Sequence, residues 1–139
     1  MPTSINATEN TKKLNEFGLE NPVKRKTSKS IIVKTTFNAK HFWKDAPEEV
    51  SFLRIPHDHI FFIEAEIEVK HDDRELEFFL VKRKLDDFID LAFNNKTFEL
   101  SCEQIADKLI GIILHHYGER KITVTVYEDN NNGGRVKYD

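Results

Sequence analysis

The stretch IFFIEAEIEVK over residues 60–70 constrains this chain more than any other. Phe61, Ile63, Ala65, Ile67 and Val69 fall on every second position, and from residue 64 onward Glu64, Glu66, Glu68 and Lys70 fill the places between. Successive side chains of a strand point to opposite faces, so the pattern predicts a long strand with one dry face and one wet face. A strand of this kind belongs to an antiparallel sheet covered on a single side.

The rest of the sequence supplies partners for it. SIIVKTTF over residues 30–37 is a β-branched run and predicts a first strand. Residues 38–56 hold Lys44, Asp45, Pro47, Glu48, Glu49 and Pro56 without a period, and read as a long connection. His71 to Arg74 form a polar turn, after which Leu76, Phe78 and Leu80 alternate, predicting a strand over residues 75–81 that hairpins back. From Lys84 the spacing changes to Leu85, Phe88, Ile89, Ala92 and Phe93, the single apolar stripe of a helix, ended by Asn94-Asn95-Lys96. A second helix opens at Ser101, with Gln104 three residues on completing a capping box, and closes at Gly118. Ile122, Val124 and Val126 predict another strand, and a Gly133-Gly134 turn leads to Val136 and Tyr138. The predicted architecture is α+β, an antiparallel sheet with two helices on one face. So short a sheet cannot close on itself, and its edges predict capping, charge or pairing with another copy of the chain.

A chain of 139 residues, 39% hydrophobic and 11% aromatic, supports one core. Residues 1–28 contain seven apolar side chains and are rich in Asn, Thr, Lys and Glu, which predicts a mobile N-terminal arm ahead of a domain over residues 29–139. That arm carries five Lys/Arg against three Glu, and the remainder sixteen against twenty-one acidic residues. A domain of that sign, without a dense basic stripe, is not built to grip a phosphate backbone, so no nucleic acid is expected as partner. Cys102 is the sole cysteine, which excludes an intrachain disulfide and a cysteine-built zinc cluster. With no apolar run of about 18 residues and no secretory pattern, the expectation is a soluble, cytoplasmic protein without a membrane partner.

Two residues apart on a strand, His57 and His59 project to the same side, a spacing suited to a metal. His41, just past the first strand and beside Phe42 and Trp43, is the third candidate ligand. Three protein ligands with an open fourth position mark a catalytic zinc site. Against this stands the reading of His57 and His59 as surface residues of a polar loop. His115 and His116 are explained by charge placement near a helix C-terminus, and His71 by a solvated turn.

Four segments in order carry a resemblance: Phe37-Asn38-Ala39-Lys40-His41, then His57-Asp58-His59 before the long alternating strand, Ser101-Cys102-Glu103-Gln104-Ile105-Ala106, and Val126-Tyr127-Glu128. Together they resemble the 6-pyruvoyl-tetrahydropterin synthase / 6-carboxy-tetrahydropterin synthase family, with its Phe-x-Ala-x-His segment, His-Gly-His pair, Thr-(Ser/Ala)-Glu-Asn-Leu-Ala helix start and strand ending in Glu-Thr. The match runs from about residue 30 to 139. The resemblance implies the tunnelling fold, whose subunits join edge to edge into an oligomeric barrel. It implies Zn²⁺ held by His41, His57 and His59, and a reduced pterin or 7-deazapurine precursor such as dihydroneopterin triphosphate as substrate of a zinc-dependent carbon-oxygen lyase. Glu128 is then the residue that receives the guanidine-like edge of the heterocycle, and Ser101, Cys102 and Glu103 line the same pocket.

The sequence also departs from the family. Leu53 stands where family enzymes carry a proton-transferring cysteine, four residues before the histidine pair, and no Asp-His pair follows the first helix. Asp58 replaces the glycine inside the pair. Cys102 at a helix start could form a thiolate or be an inert packed residue, and Glu48 or Glu49 could swing in from the long connection. Two functions follow: an enzyme with a non-standard base, or a non-catalytic binder or sensor of a pterin- or purine-like heterocycle.

Overall fold

In the computed structural model, which describes residues 7–19 and 23–139, the two strand-like runs of the sequence become the two longest strands. β1 (Lys29–His41) and β2 (His57–Val69) pair antiparallel from Lys29 opposite Val69 to His41 opposite His57. On the far side of β2 lies β4 (Ile122–Glu128), antiparallel, with Ile67 opposite Ile122 and Phe61 opposite Glu128. β5 (Gly133–Tyr138) extends the sheet beyond β4. The two-residue β3 (Thr97–Phe98) lies parallel to the end of β1, giving the order β3-β1-β2-β4-β5.

Two helices cover one face: α2 (Phe78–Ala92) packs on β1, and α3 (Cys102–Tyr117) on β4 and β5. Phe61, Ile63, Ala65 and Ile67 of β2 are buried there against Val81, Leu85 and Ile89 of α2 and Ile105, Leu109 and Ile113 of α3. Each of these side chains larger than Ala65 contributes roughly 1.5–3 kcal/mol by leaving water. The opposite face carries Glu64, Glu66 and Glu68 with Lys121, Thr123 and Arg135 around a shallow polar depression. The expected α+β architecture with two helices on one face is therefore the observed one, with a short parallel pair added at its edge. Among the described residues, no helix is long and apolar enough to cross a membrane.

The strand expected over residues 75–81 does not form. Leu76, Phe78 and Leu80 do alternate, but Val81, Leu85 and Ile89 also follow a helical period, and all three are buried in α2. Glu77 settles the competition as N-cap: its Oε2 accepts hydrogen bonds from the N–H groups of Phe79 at 2.6 Å and Leu80 at 3.2 Å. Phe78, Phe79 and Leu80 consequently face outward.

Other boundaries also move. The connection over residues 38–56 is shorter than expected, because β1 runs on to His41, Glu48–Arg54 forms a 3₁₀ segment and β2 begins at His57. The final turn is made by Asp129 and Asn130, both at positive φ (52° and 54°), a conformation Asp and Asn tolerate best among side-chain-bearing residues. Gly133 already belongs to β5, where a Cβ would lie 2.1 Å from the Val126 carbonyl oxygen. Within the predicted arm a helix occurs, α1 (Ala7–Asn15), with Glu9 in its first turn and Lys12 and Lys13 in its last, and none of its residues is buried. Residues 1–6 and 20–22 of the arm lie outside the described residues. The capping box at Ser101 and Gln104 and the Gly118 cap form as expected.

One buried cation ties the end of the fold opposite the histidines together. Arg120 donates from Nη1 to Glu75 Oε1 at 2.7 Å and to the Glu68 carbonyl at 3.0 Å, and from Nη2 to the Tyr117 carbonyl at 2.7 Å. It links the end of β2, the segment leading into α2 and the end of α3, and it holds the Glu75 carboxyl below its ordinary range. Removing Arg120 strips several hydrogen bonds from partly buried acceptors, while Glu75, partly open to solvent, can be rehydrated. Arg120→Ala is expected to lower the unfolding free energy by about 1–3 kcal/mol, as read from urea denaturation monitored by circular dichroism.

Candidate metal centre

The register of the central ladder brings the histidines together. His41 pairs directly with His57, and His59 faces Ala39 two positions further on. All three project to the helix-covered face, because they share the alternation phase of the buried Phe37 and Phe61. Their ring centroids are 4.5 Å (His41–His57), 4.8 Å (His41–His59) and 4.8 Å (His57–His59) apart. Phe61 forms the floor, its ring 5.4 Å from that of His41 and 5.9 Å from that of His59, and it stacks in turn on Phe37.

Two of the rings are held through Nδ1. His57 Nδ1 donates to the Ile55 carbonyl at 2.8 Å, and His59 Nδ1 to Asp129 Oδ2 at 2.6 Å. A ring whose Nδ1 donates in this way carries, in its neutral form, the free lone pair on Nε2. All three Nε2 atoms are buried and have no hydrogen-bond partner. The three potential ligand atoms lie within 4.8 Å of one another, against roughly 3.4 Å for tetrahedral donors at zinc–nitrogen distances of 2.0–2.1 Å. A contraction of at most about 1.4 Å between the ligand atoms converts one arrangement into the other.

The surroundings favour a cation. Glu128, at the end of β4, places Oε1 3.3 Å from His41 Nε2 and Oε2 3.5 Å from His59 Nε2. Neither contact has hydrogen-bond geometry, and a cation between the carboxylate and the ring nitrogens would complement both. Burial, opposed by the Glu128 carboxylate and reinforced by the other two rings, holds the His41 imidazole below its ordinary value near 6.5. His41 is thus neutral at physiological pH, the form that ligates metals. Three imidazoles and no thiolate form a donor set that fits Zn²⁺.

The remaining candidates fare differently. Cys102 is buried at the start of α3, with Sγ 3.9 Å from Glu128 Oε1. Burial first, then the Glu128 and Glu103 carboxylates, push its thiol up to about 12, overriding the helix N-terminus and favouring the inert reading of Cys102 over the thiolate one. The Ser101 hydroxyl accepts from the Gln104 N–H at 3.1 Å and is committed to the cap. Glu103 is exposed and lies against Gly134, where a Cβ would come within 2.2 Å of Oε1. The loop carboxylates have other surroundings: Glu48 pairs with Arg54 at 3.2 Å, and Glu49 is exposed. Asp58 points to the wet face, 3.9 Å from Lys40. Asp129 was not foreseen, and only its position one residue after Glu128 could have drawn attention to it.

No family model matches the chain, and no curated protein matches it. Its structure is similar to a solved one described as a structural analysis of Plasmodium falciparum 6-pyruvoyl tetrahydropterin synthase, with a TM-score of 0.63 and 14% identity, covering 81% of this chain and 99% of that one. The chain has the fold of that synthase.

The raised thiol gives a direct test of the electrostatics around Glu128. Alkylation of Cys102 by iodoacetamide requires the thiolate. In the folded protein the rate should go on climbing with pH beyond 9, towards the value of about 12. In urea-unfolded protein it should level off near the ordinary thiol range, and at pH 8 it should be faster by orders of magnitude.

Proposed function

We propose that this chain is a zinc-binding, pterin-synthase-like protein, with His41, His57 and His59 as ligands. Glu128 receives the guanidine-like edge of a reduced pterin or 7-deazapurine precursor such as dihydroneopterin triphosphate. The observation that carries this reading is the convergence of three buried, partnerless Nε2 atoms beside a carboxylate. A bound Zn²⁺ would supply Lewis-acid polarisation of substrate oxygens. The chain's own residues bind and orient: the two oxygens of Glu128 match two N–H donors of the heterocycle edge, and Phe61 gives the centre a water-poor floor. Cys102 and Glu103 line the same pocket from the start of α3, with Ser101 contributing backbone alone. Residues 29–139 are the working domain, residues 1–28 an appended arm, and the domain assembles edge to edge with copies of itself in the cytoplasm.

A second reading has its own support. Leu53 offers no proton-transferring group where the resembling family has one, and the Cys102 thiol stays protonated. General acid–base catalysis contributes roughly 10²–10⁴-fold, so a site without a base favours a binder or sensor of the same heterocycle over an efficient lyase.

Metal analysis of the purified protein should find one zinc per chain, and His57→Ala should remove it; native protein free of metal sinks the zinc reading. Incubation of the zinc-loaded protein with dihydroneopterin triphosphate, followed by product analysis, separates the two functions. Conversion identifies an enzyme. Intact compound, with calorimetric binding lost in Glu128→Ala while zinc is retained, identifies a binder. If neither conversion nor binding occurs, the heterocycle assignment is overturned.

A further inference from the structure

We infer that Asp129 is the positioning residue of the metal centre: its carboxylate fixes the His59 ring so that Nε2 faces the other two imidazoles, and thereby sets the affinity of the site. The inference rests on the zinc reading above. The three rings differ in what holds them. His57 is bonded to a backbone carbonyl, that of Ile55; His59 is bonded to a carboxylate, at 2.6 Å. A charged acceptor holds a ring N–H more strongly than a neutral one and raises the basicity of the opposite nitrogen.

Asp129 is itself held in place. Its Oδ1 accepts from the Ile60 N–H at 2.9 Å, and its own N–H donates to the Ile60 carbonyl at 2.7 Å. With the His59 contact this makes three bonds between one turn residue and two consecutive residues of β2. The left-handed backbone of Asp129, φ 52°, turns the chain immediately after Glu128, so one residue anchors both the ring and the turn that follows the carboxylate. Loss of such an outer partner typically costs 10–100-fold in metal affinity. The Asp129 side chain is 55% exposed, so solvent screening places the expected effect near the lower end, about tenfold.

The test uses the full chain and zinc alone as probe. Chelator competition should show about tenfold weaker zinc binding for Asp129→Asn, which keeps one acceptor but loses the charge, and a larger loss for Asp129→Ala. Nitrogen NMR of histidine-labelled, metal-free protein should show His59 in the Nδ1–H tautomer in the parent chain and a tautomer mixture in Asp129→Ala. A purely structural role would lower the melting temperature while leaving tautomer and affinity unchanged, and that result overturns the inference. So does zinc binding within twofold of the parent in both variants. Should the parent bind no zinc, the zinc reading fails, while the tautomer comparison in metal-free protein still decides whether Asp129 positions His59. Should Asp129→Ala not fold, Asp129→Asn carries both measurements.

Discussion

The antiparallel ladder between β1 and β2 decides both what this fold buries and what chemistry it holds. Thirteen residues of each strand pair without a bulge, from Lys29 opposite Val69 to His41 opposite His57. Because side chains alternate with a period of two, a slip of one residue in β2 would turn Phe61, Ile63, Ala65 and Ile67 out to water and Glu64, Glu66 and Glu68 into the core. The same slip would move His57 and His59 away from His41. The hydrophobic pattern that makes the wrong register prohibitive is thus also what places the imidazoles, and the core stabilises a constellation that by itself is unfavourable.

That constellation is unfavourable for a definable reason. Three buried ring nitrogens have no hydrogen-bond partner, and the Glu128 carboxylate closes on two of them, at 3.3 Å from His41 and 3.5 Å from His59. Over an aromatic floor, away from bulk water, like partial charges repel more than they would in solution. Only the surrounding structure keeps them there: the strand pairing, the Nδ1 hydrogen bonds and the turn at Asp129. Sites with unsatisfied polar atoms held in place by a rigid frame are where folds commonly spend stability on function.

Much of this was legible in the sequence. The alternation in residues 60–70, the β-branched first strand, the Ser101 capping box and the same-side geometry of His57 and His59 each follow from local chemistry. What was not legible had competing local signals or depended on the fold. Residues 75–81 satisfy a strand period and a helix period at once, and Glu77 decides between them through hydrogen bonds at 2.6 Å and 3.2 Å. α1 forms in a stretch too poor in apolar residues to announce itself. The thiol of Cys102 could not be judged until its distance from Glu128 was known, nor Asp129 until the turn folded it back over β2.

The state of Cys102 also bears on how the molecule ages. A proton-transfer centre built on a thiolate is vulnerable to peroxide, which climbs from sulfenic to irreversible sulfonic acid once the sulfur is ionised and accessible. Here the chain's one sulfhydryl is capped by its proton, enclosed by α3 and shielded by two carboxylates. Oxidants that need a thiolate therefore find little foothold beside the histidines.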